Sequence, residues 1–590
     1  MYRAPVEEIA FTLKHVAGFQ SVLDAGRFGG LTEDLLDAIL EEAGRFASDE
    51  IAPLQAVGDE EGAVLSGVDV TMPRGWKDLY RRWREAGWNG LSASESYGGQ
   101  ALPHALGAAA LEMWNSGSMA FAIGPTLTMG AAEAIDRHAS EGLKKLYLGK
   151  LVSGEWTGTM NLTEPQAGSD LNAVRARAEP AGDGSWRLFG QKIFITFGEH
   201  DLTENIVHMV LARVPGAPPG TRGLSLFLVP KFLVGEDGSI GRRNDVFCSG
   251  LEHKLGIHAS PTCTMVYGDG FTEPKGAVGW LVGDENRGLA CMFTMMNDAR
   301  LAVGMQGVGV AEAASQKALA YARERRQGRA RGYRGDGMSP IVHHPDVQRM
   351  LLTMQVMTRA ARAISYSCAL ASDMAGAAEG AGKIYWQERA NLLTPVAKAF
   401  STDVGVEVSS LCIQVHGGMG FIEETGAARL LRDARIAPIY EGTNGIQAID
   451  LVTRKLPQSG GAHVHVYIGE LLEIVSTVET SNRHEFGRTA AELRAALQAL
   501  SEATRHLQKQ LAEGRPDQAL AGATPYLRLF ALASGGAALA RGALADRSGS
   551  RIALCRFFAE NLAGEALTLK DRVIGGADSL TAAGAALAGE

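Results

Sequence analysis

The chain reads as a multidomain α+β protein in which a helical segment, a β segment and a longer helical segment follow one another. Three observations carry that reading. Apolar residues recur at helical spacing from Leu31 to about Lys150. After Trp156 they give way to short runs rich in Val, Ile, Phe and Thr, cut by Gly, Pro and Asp. Near Leu281 helical periodicity returns and persists almost to the C-terminus. At roughly 100–200 residues per domain, 590 residues leave room for three to five domains.

The elements follow in order. LTEDLLDAILEEAGRFASDEIAPL puts Leu35, Leu36, Ile39 and Leu40 on one stripe, with Thr32 as N-cap. WKDLYRRWREAGWNGL ends its helix near Gly87, because glycine tolerates the left-handed backbone that closes a helix. A long helical stretch from His104 to about Gly154 follows. SWRLFGQKIFIT, NIVHMVLARVPG, RGLSLFLVPKF and SPTCTMVYGD then read as strands. The next helical run, starting NRGLACMFTMMNDARLAVG, is separated from another long helix by the Gly-rich RQGRARGYRGDGMSPIVHHPDV. A weaker break around Gly460 sets off the last 130 residues, which read as Ala/Leu-rich helices ending in a tail expected to fray.

Composition narrows the function classes. With 57 Lys+Arg against 66 Asp+Glu the net charge is −9, and 46% apolar with 21% charged residues fits a globular protein. The acidic balance argues against general affinity for nucleic acid or anionic membrane, since phosphate attracts clustered cations. From Gly461 to Glu590 thirteen Lys/Arg meet fourteen Asp/Glu, so no basic surface is concentrated there either. Cys248, Cys263, Cys291, Cys368, Cys412 and Cys555 are scattered without a CxxC pair, which predicts buried reduced thiols. The N-terminal MYRAPVEEIAFTLKHVAGF lacks an uninterrupted apolar core and is not expected to be a signal peptide. No stretch reads as the ~18 apolar residues of a membrane span. The expected location is the cytoplasm.

Familiar cradles and clusters are missing. No GxGxxG opens a helix after a strand, and there is no GxxxxGK[ST], HExxH or GxSxG. His343 and His344 are adjacent and read as a surface pair, so no metal is expected. Five segments remain. TEPQAGSD, from Thr163 to Asp170, is either a capped loop or a place where backbone N–H groups approach a ligand. GQKIFITFGEHD places Phe194 and Thr196 on one strand face, as core or as a support for a flat heteroaromatic ring. YARERRQGR ends a helix with Arg323, Arg325, Arg326 and Arg329, which are either solvated or aimed at a phosphate. QVHGGMGF is a Gly-rich turn between helices. In IYEGTNGIQ, Glu441 sits between an apolar run and a glycine, before a helix capped by Thr443 or Asn444. It is either an anion at a helix N-terminus or a base in a dry pocket, where desolvation would raise its pKa.

In combination and order these segments resemble the acyl-CoA dehydrogenase family over roughly Leu31 to Leu456. The motifs are GWNGLSASESYGG, NLTEPQAGSDL, GQKIFITFGEHD, MMNDARLAVG, YARERRQG, QVHGGMGF and IYEGTNGIQ. The opening YRAPVEEIAFTLKHVAGF, the segment HKLGIHASPTC and the length are similar to a long subgroup with an N-terminal extension and an extra C-terminal helical domain. The resemblance implies an extension over 1–30, an N-terminal helical domain over 31–157 and a middle β domain over 158–280. A C-terminal four-helix domain over 281–460 and an additional helical domain over 461–590 complete it.

It also implies FAD between the middle and C-terminal domains, assembly at least as a dimer, an acyl-CoA substrate and an electron-transferring flavoprotein as acceptor. Residue by residue, Glu441 resembles the catalytic base. Thr196 resembles the group that hydrogen-bonds the flavin edge, and Phe194 stands where a tryptophan often stacks on the ring. Leu162, Thr163, Gly168 and Ser169 would lie against the flavin, with Ser169 also touching the thioester arm. Arg325 and Gln327 resemble the pair that holds the FAD pyrophosphate, although many relatives carry Thr at the latter position. Gln414 and Gly418 resemble the turn that reaches a neighbouring subunit's FAD, and Thr443 a flavin contact beside the base. Asn297 and Arg300 would hold the pantetheine or nucleotide part of CoA, with Tyr440 and Gly442 also among the substrate contacts. Some relatives carry their base on the MMNDARLAVG helix, where this chain has Ala299 beside Asp298. The implied reaction forms trans-2-enoyl-CoA from 3-methylthiopropanoyl-CoA or another short- to medium-chain acyl-CoA. A flavin oxidase on the same fold and a DNA-binding alkylation-response flavoprotein are the alternatives.

Overall fold

Most of the β-branched and aromatic runs between residues 157 and 282 enter one sheet, while Phe232–Val234 and Ile240–Arg243 pair apart from it. Its strands are β1 (Thr157–Asn161), β2 (Arg177–Pro180), β3 (Trp186–Thr196), β4 (Ile206–Arg213), β5 (Leu224–Pro230), β6 (Val246–Leu251), β7 (Thr262–Tyr267) and β8 (Ala277–Val282). The order is β6-β7-β3-β8-β5-β4-β1, with β2 paired to β3 and β4. Pairing is antiparallel except where β4 meets β1 and β2. β5 is buried throughout and β4 up to its last residue, because both faces of these strands are covered. Val207, Met209 and Leu211 face Ala131, Ile135 and Trp156, whereas Val210 and Ala212 join Leu188, Ile195 and Cys263. That division is the period of two that a strand imposes.

This computed structural model describes residues 1–546 and 548–587, the side chains of 297 and 585 excepted. The chain divides into two units. One comprises Met1–Ala47, Pro103–Ser116 and Arg300–Glu590; the other, Ser48–Leu102 and Gly117–Ala299, contains the sheet. The helix α1 (His104–His138) has extended backbone at Ser118, close to the boundary.

The first unit is built on α2 (Gly288–Glu324, from Arg300 onward), α3 (Pro345–Ala377), α4 (Gly380–His416), α5 (Asn444–Asp450) and α6 (Ala523–Ala545). α3 and α4 pack along their lengths, joined by two residues, and α6 packs on α3, α4 and α5. The N-terminal Thr12–Ala17 turn rests on α3 and α6. α2 and α4 meet backbone to backbone, which only glycine permits. A Cβ on Gly307 would lie 2.2 Å from the Ser401 carbonyl oxygen. Gly307→Ala is therefore expected to destabilise the unit by about 1–3 kcal/mol through overpacking. This outweighs the roughly 1 kcal/mol that helix propensity would return. An unchanged or higher melting midpoint would contradict this close approach.

Thr32 caps its helix as expected, its Oγ1 accepting the Leu35 N–H at 3.2 Å, and all six cysteines are free and buried. Two expectations change. The C-terminal tail is helical from Glu565 to Leu587, because Leu569, Val573 and Ala577, spaced four apart, are buried. One helix, Ala523–Ala545, is long and apolar enough to cross a membrane by length and composition. Small residues and leucines make it so, and most of it is buried inside the first unit.

Candidate active site

The Glu441 turn is assembled from its sequence neighbours. Thr443 is the N-cap of α5, its Oγ1 accepting the Ile446 N–H at 3.2 Å, while the Asn444 N–H donates to the Pro438 carbonyl at 3.0 Å. Just before the cap the backbone turns left-handed twice, at Glu441 (φ +55°) and Gly442 (φ +78°). Such a conformation costs a non-glycine residue about 1–3 kcal/mol and persists only where neighbours enforce it. Here Gln447 Nε2 donates to the carbonyls of Glu441 (3.1 Å) and Gly442 (3.3 Å), and Lys398 Nζ donates to the latter at 2.9 Å. The N–H of Glu441 donates to no group among the described residues.

Desolvation raises the Glu441 carboxyl to about 7, against the opposing pull of Arg300 and Lys398. A helix N-terminus alone would favour the anion by about 0.3–1 kcal/mol. Desolvation outweighs that pull at this half-buried residue. Arg300 is buried, its Nη1 3.4 Å from Asp450 Oδ2, and its Nε has no hydrogen-bond partner among the described residues. The Tyr440 hydroxyl donates to the side-chain oxygen of Gln306 on α2. Asn297 lies outside the residues whose side chains are described.

In the sheet unit, β3 does not alternate uninterrupted. Its register with β7 shifts between Lys192 and Ile195, with Phe194 left-handed at φ +59°. This bulge keeps Lys192 and Ile195 inward and leaves Phe194 57% exposed, with Thr196 half-buried. Beside it the Ile193 N–H donates to the Thr163 carbonyl at 2.9 Å. The fully buried Lys192 donates to the Leu162 carbonyl (3.0 Å) and to Glu164 (2.8 Å). Glu164 in turn accepts the N–H groups of Arg175 and Ala176 at 2.7 and 3.0 Å. The TEPQAGSD segment is thus a pinned loop whose tip, Gly168–Ser169, is exposed, with open space at the Gly168 Cβ position.

Arg325 and Gln327 lie exposed on the loop after α2, and Gln414 and Gly418 are exposed at the end of α4. The two regions touch, since Tyr321 stacks on His416 with ring centroids 4.2 Å apart. The structure therefore brings Arg300, Tyr440, Glu441, Gly442 and Thr443 together, and separately Leu162, Thr163, Phe194 and Thr196. Lys192 and Lys398 escaped the sequence reading. A lone lysine inside an apolar run is the signal that marked both.

Family models place the molecule. The acyl-CoA dehydrogenase N-terminal, middle and C-terminal domain models match residues 33–155, 159–269 and 286–456, and an acetyl-CoA dehydrogenase C-terminal-like model matches 471–583. The class is an oxidoreductase built for acyl-CoA. The chain belongs to the acyl-CoA dehydrogenase family, with an extra C-terminal domain. It is 44% identical over 99% of its length, and 99% of the relative's, to 3-methylmercaptopropionyl-CoA dehydrogenase of Ruegeria pomeroyi. In fold it is similar to Caenorhabditis elegans ACDH-11 in complex with C11-CoA (TM-score 0.76, 20% identity, 97% of this chain and 95% of that one). It is also similar to a Bacillus anthracis acyl-CoA dehydrogenase complexed with FAD (TM-score 0.74, 21% identity, 94% and 90%).

Proposed function

We propose that this chain is an FAD-dependent dehydrogenase that converts a saturated acyl-CoA to its trans-2-enoyl-CoA, with 3-methylthiopropanoyl-CoA as the leading substrate and other short to medium chains next. The observation that carries it is Glu441, a carboxylate on an enforced left-handed turn with its titration raised to about 7. A base titrating near working pH is best matched to a weakly acidic α-proton. Full-length similarity to the Ruegeria relative supports the substrate.

The residues present fit FAD. The exposed Phe194 ring beside Thr196 suits a flat heteroaromatic face, and the open Gly168–Ser169 tip leaves room for close approach. Arg325, exposed and with no side-chain partner among the described residues, suits a pyrophosphate, with Gln327 beside it. When bound, FAD supplies the acceptor for the hydride that leaves the substrate's Cβ. Glu441 takes the α-proton onto its carboxylate. Its own N–H, without an internal acceptor, donates to the thioester oxygen as charge develops there. Thr443, whose hydroxyl is occupied as the cap, holds the turn in register. An electron-transferring flavoprotein as acceptor, a dimeric assembly, Gln414 and Gly418 reaching a second subunit and a cytoplasmic location complete the proposal.

A panel of acyl-CoAs from two carbons to long chains, with 3-methylthiopropanoyl-CoA included, tests it through loss of flavin absorbance. Fastest bleaching by the thioether or a short chain is expected. Purified protein that takes up no FAD, or that no acyl-CoA bleaches, would overturn the reading; stoichiometric peroxide would make it an oxidase.

A further inference from the structure

Lys398 sits in the middle of α4, in the run VAKAFSTD, without solvent exposure. Burying an ammonium carries a penalty of several kcal/mol unless good partners compensate. Its partners belong to the Glu441 turn. Nζ donates to the Gly442 carbonyl at 2.9 Å and to Asn444 Oδ1 at 2.9 Å. Asn444 is itself tied back to α4, its Nδ2 donating to the Ala399 carbonyl (3.1 Å), Thr402 Oγ1 (3.0 Å) and Asp403 Oδ1 (2.7 Å).

We propose that Lys398 is a positioning residue for Glu441, clamping the Gly442 carbonyl and the Asn444 side chain so that the left-handed pair keeps the carboxylate aimed at one place. This rests on reading Glu441 as the base. The charges that face Lys398 are Glu441, Asp403 on its own helix and Arg300 on α2. Asp403 in turn faces Glu407 and, from α6, Arg528, whose Nη1 pairs with Glu407 at 2.9 Å. The ammonium therefore does two things that a neutral packing residue could not. It holds the Gly442 carbonyl, next to the left-handed Glu441, by a charge-assisted bond, and it favours the ionised form of Glu441.

The test is Lys398→Met in the full chain, read in two ways. Hydrogen exchange of the amides from 439 to 447, measured on protein without substrate, is expected to accelerate about tenfold or more as the turn opens locally. In the FAD-loaded enzyme kcat is expected to fall about 100-fold with KM within a few-fold. The acid limb of the kcat/KM profile should move upward by about one pH unit, because a cation beside the carboxylate is gone. Unchanged exchange and an unmoved limb would overturn the proposal. Where Lys398→Met does not fold, Lys398→Gln decides. It keeps a donor but removes the charge, so faster exchange and a limb moved upward support the clamp, and native exchange with an unmoved limb refutes it. Failure of the wild type to turn over any acyl-CoA would sink the dehydrogenase reading, while the exchange data would still judge the clamp.

Discussion

Glu441→Gln is expected to bind acyl-CoA and FAD as the wild type does and to lose about 10²–10⁴ in the rate of flavin bleaching. The amide keeps the size and the turn but cannot take a proton. Desolvation disfavours the Glu441 anion more than Arg300 and Lys398 stabilise it, so the neutral amide should cost no stability. The wild type supplies the control. Its carboxylate is raised to about 7 by desolvation, so it is protonated and idle in acid. The kcat/KM should therefore climb through about pH 7 and turn down again above about pH 8, where Lys398, lowered to about 8 by burial, loses its charge. In the Gln variant this acid limb should vanish with the activity. A variant that bleaches at near-normal speed, or a wild-type profile flat down to about pH 5, would remove Glu441 from the chemistry.

The largest stability effect is expected at Arg362. On α3 its guanidinium is completely buried, Nε donating to both carboxylate oxygens of Glu112 at 2.8 and 3.0 Å and Nη2 reaching Glu312 at 2.7 Å. The Tyr366 hydroxyl closes the cluster on Glu112 at 2.6 Å. Removing the only cation bonded to Glu112 among the described residues strands a buried carboxylate. Arg362→Met should cost about 3–5 kcal/mol. The sign with pH follows from Glu112, whose carboxyl is already raised by desolvation and would rise further without its partner. A raised carboxyl binds protons more tightly in the folded state, so the variant's stability falls as pH rises. The melting-temperature deficit should be larger at about pH 8 than at about pH 6. Pairing the change with Glu112→Leu should recover most of the loss, because an apolar pair of similar volume avoids the desolvation penalty. A deficit independent of pH would show that lost packing, not the stranded charge, is responsible.

Much of this was legible in one dimension because it depends on local rules. The helix–sheet–helix order follows from a change in apolar period after Trp156, and Thr32 and Gly87 mark helix ends through their own backbone and side-chain chemistry. Glu441 stood out because a carboxylate between Tyr440 and Gly442 fits no ordinary helix start. Other features have causes that lie far apart along the chain. Glu112 and Arg362 are 250 residues apart and only folding makes them one ionic cluster. Whether Glu441 was a dipole-stabilised anion or a desolvated base depended on how much water its neighbours exclude. Phe194 reaches solvent because a bulge against β7 resets the alternation, and no property of β3 alone announces a register shift in its partner. The Ala523–Ala545 helix has the composition of a membrane span and the environment of a core. Lys398 is the clearest case. In the sequence it is one of several charges along a long helix, and only the fold sets its ammonium against a carbonyl 44 residues away. Period and capping act over a few residues and so are written in the sequence; burial and charge pairing belong to the packed molecule.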